Sequence, residues 1–575
     1  NGKHRGFGFR EIKLVQNPLP GGKSFYFEVN GVAVVVHGSN WIPSFALDNS
    51  NASVNTSSLE PLFKSLADSH QNMIRNWGGG IYQQKDFYDL ADRYGIMIWQ
   101  DFMFACASYW TNPTWLKSVS KEVIDTVRDI QHHPSIAIWA ANNENGGYCK
   151  PGQESETAYV DLYWKAVLDN AEMLDPIMRP RVSSSPSNGN ETQSEPCAFN
   201  GNTQDPYYGD VHQYLYDKDC WNTDIYVKAR FVSEFGWQSW PSYSTMTEFL
   251  PSDQWSYNSP DMQNRQHHPN GQAQIVTEIE NHYNLPKGWN DTEGYMYMLY
   301  ASQYSQAYCY KVEVEFFRSL RQTCTSSTPG CTMGSMYWQT NDIWPGASWS
   351  GVDYTNRYKL VGYYAKNFYR KVLITGYDNG SNYTFWAIND YTNEFKCDST
   401  NNCVIEFRAC SFATSKETNA WNVSLPSMDY ESAKLVYSLS HSDFQTQTKC
   451  PSITTDCALQ WRLIDTKNNM DITENWMFIS SPKNTKSMDP QLKLTGVKDN
   501  GDNTFEVSFN VGNFASIVYL ETNISGNFDD THFGWGVVYP GDYTTQFNAS
   551  QPTTASALQS SIHLYSLFEA GGFAS

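Results

Sequence analysis

The chain lacks several features that would define other classes of protein. No apolar run is long enough to cross a bilayer, so no membrane span is expected. Basic residues are few. The 40 Lys and Arg face 60 Asp and Glu, a net charge of −20, which disfavours a nucleic-acid partner because phosphate binding needs a basic surface. Histidines occur as adjacent pairs, His132-His133 and His267-His268, and not at the i,i+4 spacing of a helical zinc site. Gly78-Gly79-Gly80 has neither the lysine nor the spacing of a phosphate loop, and the Gly-x-Ser-x-Gly pattern of serine hydrolases is absent. No metal and no cofactor is expected.

What is present speaks for several domains and a secretory route. A length of 575 residues suggests two to four domains. Acceptor sequons Asn-x-Ser/Thr occur at Asn51, Asn55, Asn190, Asn290, Asn379, Asn382, Asn422, Asn523 and Asn548. Cys324/Cys331, Cys397/Cys403 and Cys450/Cys457 are close pairs across polar, turn-like segments, and each is expected to form a local disulfide. Cys149, Cys197, Cys220, Cys309 and Cys410 remain for longer-range pairing, while Cys106 sits in an apolar run as a free thiol. These markers point to a lysosome-like compartment or to secretion. No secretory leader opens the chain, and residues 6 to 15 alternate like a strand with no partner before it. The expectation is a longer precursor, with residues 1–24 the last strand and linker of a preceding β-sandwich.

From residue 25 to 369 short apolar runs alternate with amphipathic ones. Strands are expected near residues 35, 74, 98, 139, 182, 212, 232 and 337, and helices over 59–69, 87–94, 115–130, 158–174, 295–321 and 358–369. Such alternation predicts an α/β fold, a closed (β/α)8 TIM barrel. Beyond it the character turns all-β, with material for two β-sandwich (immunoglobulin-like) domains over 370–480 and 481–575.

The chemistry concentrates at strand ends. Ile138-Trp139-Ala140-Ala141-Asn142-Asn143-Glu144-Asn145 is an apolar strand running into amides around one carboxylate. Arg230-Phe231-Val232-Ser233-Glu234-Phe235 delivers a second. Two carboxylates at the ends of two barrel strands are the minimal equipment for cleaving a glycosidic bond, and an acid among them should have its pKa raised by burial and by its partner. Arg75, ending the second strand, is placed to keep the nucleophile ionised or to pair with Asp101. His212 and Tyr214 alternate on the sixth strand, His212 for a sugar hydroxyl and Tyr214 for orienting Glu234. Trp77 and Trp338 offer faces against which a pyranose stacks, and Trp41 is a weaker candidate beside Ile42-Pro43. An aromatic content of 15%, with 20 Trp and 37 Tyr, leans the same way.

Taken in order, these motifs resemble the β-mannosidases of glycoside hydrolase family 2, the animal lysosomal type above all. The residues that carry the resemblance are Gly38-Ser39-Asn40-Trp41-Ile42-Pro43, Arg75-Asn76-Trp77-Gly78-Gly79-Gly80, Gln100-Asp101-Phe102-Met103-Phe104-Ala105-Cys106, Asn142-Asn143-Glu144-Asn145, Gly209-Asp210-Val211-His212, Ser233-Glu234-Phe235-Gly236-Trp237-Gln238-Ser239, Tyr337-Trp338-Gln339 and Asn341-Asp342-Ile343-Trp344-Pro345. The resemblance implies retaining hydrolysis of terminal, non-reducing β-D-mannose from an oligosaccharide, with Glu144 as acid/base and Glu234 as nucleophile. It also implies that Asn143 binds the 2-hydroxyl, that Trp77 and Trp338 line the sugar pocket, and that no cofactor takes part. Family members carry a jelly-roll domain before the barrel, so a separate N-terminal fragment of the same precursor is expected as partner. The alternatives are an endo-β-mannosidase or exo-β-glucosaminidase of the same family, or a non-catalytic glycan-binding protein on a decayed barrel.

Overall fold

The computed structural model describes residues 9–45, 56–321, 330–397, 403–529 and 536–574. The chain divides into two compact units. One comprises Asn1–Tyr214, Val227–Phe235 and Leu320–Ile343, the other Leu215–Tyr226, Gly236–Ser319 and Trp344–Ser575.

The first unit is built on eight parallel strands: Val36–Trp41, Met73–Asn76, Met97–Asp101, Ile136–Ala140, Arg181–Val182, Val211–Gln213, Val232–Phe235 and Gly334–Tyr337. All eight coincide with the apolar runs of the sequence. The eighth pairs with the first, Ser335 opposite His37 and Tyr337 opposite Ser39, so the strand order is cyclic, as in a (β/α)8 barrel. Between the fifth and sixth strands the ladder gives way to a single bridge, Ser187 with Asp210. Most of these strands are buried on both faces, which explains why they read as continuous apolar runs and not as alternation.

Helices fill most of the connections, but from the fifth to the sixth and from the sixth to the seventh strand the described residues form only the 3-10 turns Gly189–Gln193 and Thr223–Ile225. Pro113–Ile130 starts where the Asn112 side chain accepts a hydrogen bond from the Trp115 amide, with proline at a first-turn position, and it buries Val119, Val123, Val127 and Ile130. The helix expected over 158–174 runs from Glu154 to Leu174 with a π-helical stretch, Val160–Leu168, in its middle.

In the opening segment Ile12–Val15 pairs antiparallel with Tyr26–Val29, which pairs in turn with Val32–Val34. Ile12, Phe25 and Phe27 share one apolar cluster with Val36, Met73, Trp99, Ile138, Phe231 and Met336. The rings of Phe25 and Phe27 lie 5.8–6.3 Å from those of Trp99 and Phe231. The hairpin's aromatics therefore share the apolar core of the barrel strands.

In the second unit, helices Tyr243–Phe249, Pro260–Asn264 and Gly271–His282 precede Tyr295–Ser319 and Leu360–Phe368. The first three were not expected. Two antiparallel sheets follow, one of Val372–Asp378, Asn382–Asn389 and Ser432–Ser440, the other of Lys416–Ser424, Cys403–Ser411, Ala458–Asp465 and Met470–Phe478. They share a core that includes Ile374, Phe385, Phe407 and Trp461. Sheets of four and two strands complete the chain.

Disulfides Cys397–Cys403 and Cys450–Cys457 close as expected, and Cys149–Cys197 and Cys220–Cys309 join them. Cys331 is disulfide-bonded, with a partner outside the described residues, where Cys324 also lies; Cys106 and Cys410 are free. Of the sequons, Asn190, Asn290, Asn379, Asn422 and Asn523 are exposed and Asn382 and Asn548 half-buried, while Asn51 and Asn55 fall outside the described residues. Among the described residues no helix is long and apolar enough to cross a membrane.

Phe27 is fully buried among these rings. Truncation to alanine is expected to destabilise the protein by about 3–5 kcal/mol. Chemical denaturation reads this, and a loss below about 1 kcal/mol would show that the hairpin is not part of the barrel core.

Candidate active site

Apart from Asp210, which immediately precedes the sixth strand, and His212 within it, the residues of the site stand at or just beyond the C-terminal end of a barrel strand. Arg75 is at its centre and has no exposed surface. A guanidinium has five N–H donors, and here five acceptors meet them. Nε and Nη2 reach the two oxygens of Asp101 at 3.2 and 2.7 Å, Nη2 donates to Asn143 Oδ1 at 2.7 Å, and Nη1 donates to Asn40 Oδ1 at 2.9 Å and to Glu234 Oε1. Burial works against the charge of Arg75, but Asp101 and Glu234 outweigh it and raise its pKa. Burial pushes the Asp101 carboxyl up to about 6 against the pull of the guanidinium. Asp101 Oδ2 also accepts the Gly78 amide at 3.0 Å. A Cβ at Gly78 would stand 2.7 Å from the carbonyls of Phe102 and Phe104, so the first glycine of the triplet serves this approach and no phosphate.

Glu234 is held on both oxygens, by Arg75 and by Tyr214, whose hydroxyl donates to Oε2 at 2.8 Å. Its side chain is 5% exposed, that of Glu144 39%. Glu144 sits in a different setting. Its backbone is left-handed, φ 59°, and its amide is fixed by Ser185 O at 2.9 Å. His212 Nδ1 lies 2.8 Å from its Oε1, and the Cys106 thiol donates to its Oε2 at 3.4 Å. Cys106, also left-handed at φ 47°, accepts a hydrogen bond from Asn143 Nδ2 at 3.2 Å.

The expectation of a raised acid is not met. Burial pushes the Glu144 carboxyl up, but the hydrogen bond and charge of His212, followed by the Cys106 thiol, pull it down to about 2. Burial and the Glu144 charge push the Cys106 thiol up to about 12, which keeps it a neutral donor. One polar atom each of Glu144, His212 and Glu234 lies within 4.8 Å of the others. Among the described residues this is the cluster close enough to be considered for a metal. Glu234, His212 and Glu144 already use these atoms among themselves and with Tyr214, so we do not assign a metal there.

The structure brings together Arg75, Asn143, Glu144, His212, Tyr214 and Glu234. Trp77 and Trp338, half-buried at the ends of the second and eighth strands, meet edge to face with centroids 4.9 Å apart. Trp41 is a correction. It is fully buried against Phe63 and Phe87 at 5.7 and 5.0 Å, so its ring belongs to the core and not to a sugar face. His212 binds Glu144 where a sugar hydroxyl was expected. Asn40, Cys106, Ser185 and Asp210 were missed as site residues. Strand position was the available signal for Asn40 and Asp210, and nothing local marks Ser185.

The structure thus joins a cyclic parallel barrel, whose active sites lie at the C-terminal ends of the strands, with the paired carboxylates that glycoside hydrolases use. The chain is similar to proteins named β-mannosidase. It is 35% identical to a β-mannosidase of Capra hircus over 575 residues, 97% of this chain and 63% of that protein. It is 36% identical to a β-mannosidase of Bos taurus over 571 residues, with the same coverage. A crystal structure of β-D-mannosidase from Dictyoglomus thermophilum superposes with a TM-score of 0.78 at 25% identity, covering 97% of this chain and 63% of that one. The chain thus spans 63% of the length of the curated relatives it matches. No family model matches it.

Two outcomes are expected. Arg75→Met leaves two buried carboxylates without their counter-charge and should destabilise the protein by about 3–5 kcal/mol in chemical denaturation. Arg75→Lys, with three donors for five acceptors, should recover little of this, and full recovery would mean that charge alone matters. The second outcome concerns acid. The folded-state pKa of Glu144 lies below the ordinary 4.5, so its contribution to stability is complete above that pH and is lost as pH falls towards 2. The difference in melting temperature between the native protein and Glu144→Gln should therefore shrink from pH 6 to pH 3. A constant difference would count against the His212 contact.

Proposed function

We propose that the chain is the catalytic portion of a retaining exo-β-mannosidase that releases terminal, non-reducing β-D-mannose from oligosaccharides. The observation that carries this is the approach of the carboxylates. One oxygen of Glu144 and one of Glu234 lie within 4.8 Å of each other. That fits direct attack by one carboxylate, for which the groups stand roughly 5–5.5 Å apart, better than the wider spacing an inverting enzyme uses to hold a water between them. The relatives named β-mannosidase supply the sugar.

In this reading Glu234, held ionised by Arg75 and aimed by Tyr214, attacks the anomeric carbon. The half-exposed Glu144 protonates the leaving oxygen, and the glycosyl ester on Glu234 is then opened by water that Glu144 deprotonates. Trp77 and Trp338 take the apolar face of the pyranose, and Asn143, oriented by Arg75, takes the 2-hydroxyl. The exposed sequons and the disulfides support a lysosome-like or secretory compartment. That a further N-terminal region of the same precursor completes the pocket belongs to the same proposal, and size analysis of native material tests it.

Turnover of aryl β-mannosides is the direct test. Glu234→Gln should abolish it, and Glu144→Gln should lower it by about 10²–10⁴-fold for poor leaving groups. Azide should rescue the Glu144 variant with retention of the anomer. Preference for an aryl β-glucosaminide would move the assignment to another sugar, and no turnover of either by the intact protein would leave a glycan-binding module.

A further inference from the structure

His212 is held from both sides. Nδ1 lies 2.8 Å from Glu144 Oε1 and 3.5 Å from Glu234 Oε2, while Nε2 lies 3.1 Å from Ser185 Oγ. Behind Ser185 is Asp210, which has no exposed surface. Its Oδ2 accepts the hydroxyls of Ser185 at 2.7 Å and Ser233 at 2.6 Å. Its Oδ1 accepts the Ser187 amide at 2.9 Å and the Ser187 hydroxyl at 3.2 Å. Four donors converge on one buried carboxylate, as an anion out of reach of water requires.

The direction of these bonds fixes a proton. A serine hydroxyl has one hydrogen, and that of Ser185 is given to Asp210. Ser185 Oγ can then only accept from His212, so the imidazole carries its hydrogen on Nε2. Nδ1 is left facing Glu144, and a single further proton lies between Nδ1 and Oε1.

We propose that Asp210, acting through Ser185, locks His212 in its Nε2–H form so that Glu144 and His212 hold the catalytic proton as a pair. This rests on the reading of Glu144 as acid/base. Asp210 and Ser185 are positioning residues and do not touch substrate. In the first half-reaction the pair gives its one proton to the leaving oxygen as the bond from that oxygen to the anomeric carbon breaks and Glu234 bonds to the carbon. In the second, water oxygen bonds to the carbon, the ester to Glu234 breaks, and a proton of the water returns to the pair. Nε2–H is untouched throughout. Without the anchor the neutral ring is free to carry its hydrogen on Nδ1, offering Glu144 a donor where the protonated acid needs an acceptor. The other groups facing the pair are Glu234 across the cleft, the Cys106 thiol on Glu144 Oε2 and, through its charge, Arg75, which also binds Glu234 and Asp101; Tyr214 acts on Glu234.

The test compares the native protein with Asp210→Asn and Ser185→Ala on phenyl and 2,4-dinitrophenyl β-mannosides. The phenyl substrate needs the proton; the dinitrophenyl one does not. Expected is a fall in kcat/KM of about 10²-fold for the phenyl substrate and less than about tenfold for the other. Loss of the buried anion should also move the alkaline limb of the phenyl profile down by roughly one pH unit. Equal losses on both substrates with an unmoved limb would show that Asp210 only supports the strand, and would overturn the proposal. Imidazole 15N NMR of histidine-labelled protein, with His212→Asn to assign the signal, reads the tautomer without activity. Nε2–H in the native protein and its loss in Asp210→Asn are expected. Nδ1–H without Nε2–H in the native protein overturns the proposal whatever the kinetics. Nε2–H in a protein that turns over no mannoside would sink the functional reading and leave the lock standing.

Discussion

The site depends on the full satisfaction of one buried cation. The five acceptors of Arg75 come from the first strand (Asn40), the third (Asp101), the end of the fourth (Asn143) and the seventh (Glu234). Asn40 in turn donates to the carbonyls of Ser233 and Met336, so the seventh and eighth strands are tied in as well. A desolvated charge is tolerated only when such bonds replace water, and that requirement converts strand positions into a fixed geometry. The carboxylate of Glu234 is therefore positioned by the same contacts that hold the mouth of the barrel together.

The two carboxylates are held in contrasting ways. Glu234 is buried, faces a permanent cation and a phenol, and is suited to remaining an anion. Glu144 is half-exposed and faces an imidazole and a neutral thiol, both able to share hydrogen. An imidazole is the side chain whose ordinary pKa lies where a small change of environment moves a proton. Two identical residue types thus acquire different environments from their neighbours, the kind of contrast by which one fold can run acid and nucleophile chemistry together.

Much of this was legible in the sequence, because burial on both faces writes a barrel strand as an apolar run and the chemistry follows at its end. The glutamates, Arg75, His212, Tyr214 and the tryptophans at the second and eighth strand ends are found that way. Periodicity, however, tells which face a residue takes and not which residue it meets. The contact of Ser185 with His212 depends on the break between the fifth and sixth strands, and the reach of Ser233 to Asp210 on a register shift between Val211 and His212. Neither leaves a local mark. Trp41 misled because an aromatic at a strand end looks alike whether it faces the cleft or, as here, Phe63 and Phe87. Helices 243–249, 260–264 and 271–282 are short or weakly amphipathic, so no strong 3.6-residue pattern announces them.

The charge of the site bears on what it can accept. Glu144, Glu234, Asp101 and Asp210 stand against one guanidinium and one imidazole, a surplus of negative charge in a partly desolvated mouth. For a ground-state neutral sugar this surplus contributes little. In the proposed reaction the ring takes on oxocarbenium character as the glycosidic bond stretches, and positive charge would develop in front of Glu234. Fixed anions that need no reorganisation favour that state over the ground state, which is the condition for catalysis in place of tight binding. The same field opposes a sugar that carries its own carboxylate, since no cation remains free in the cluster to receive it: Arg75 has all five donors committed. Under the proposed function, the electrostatics of the cluster of described residues would favour a neutral pyranose before any hydroxyl is read.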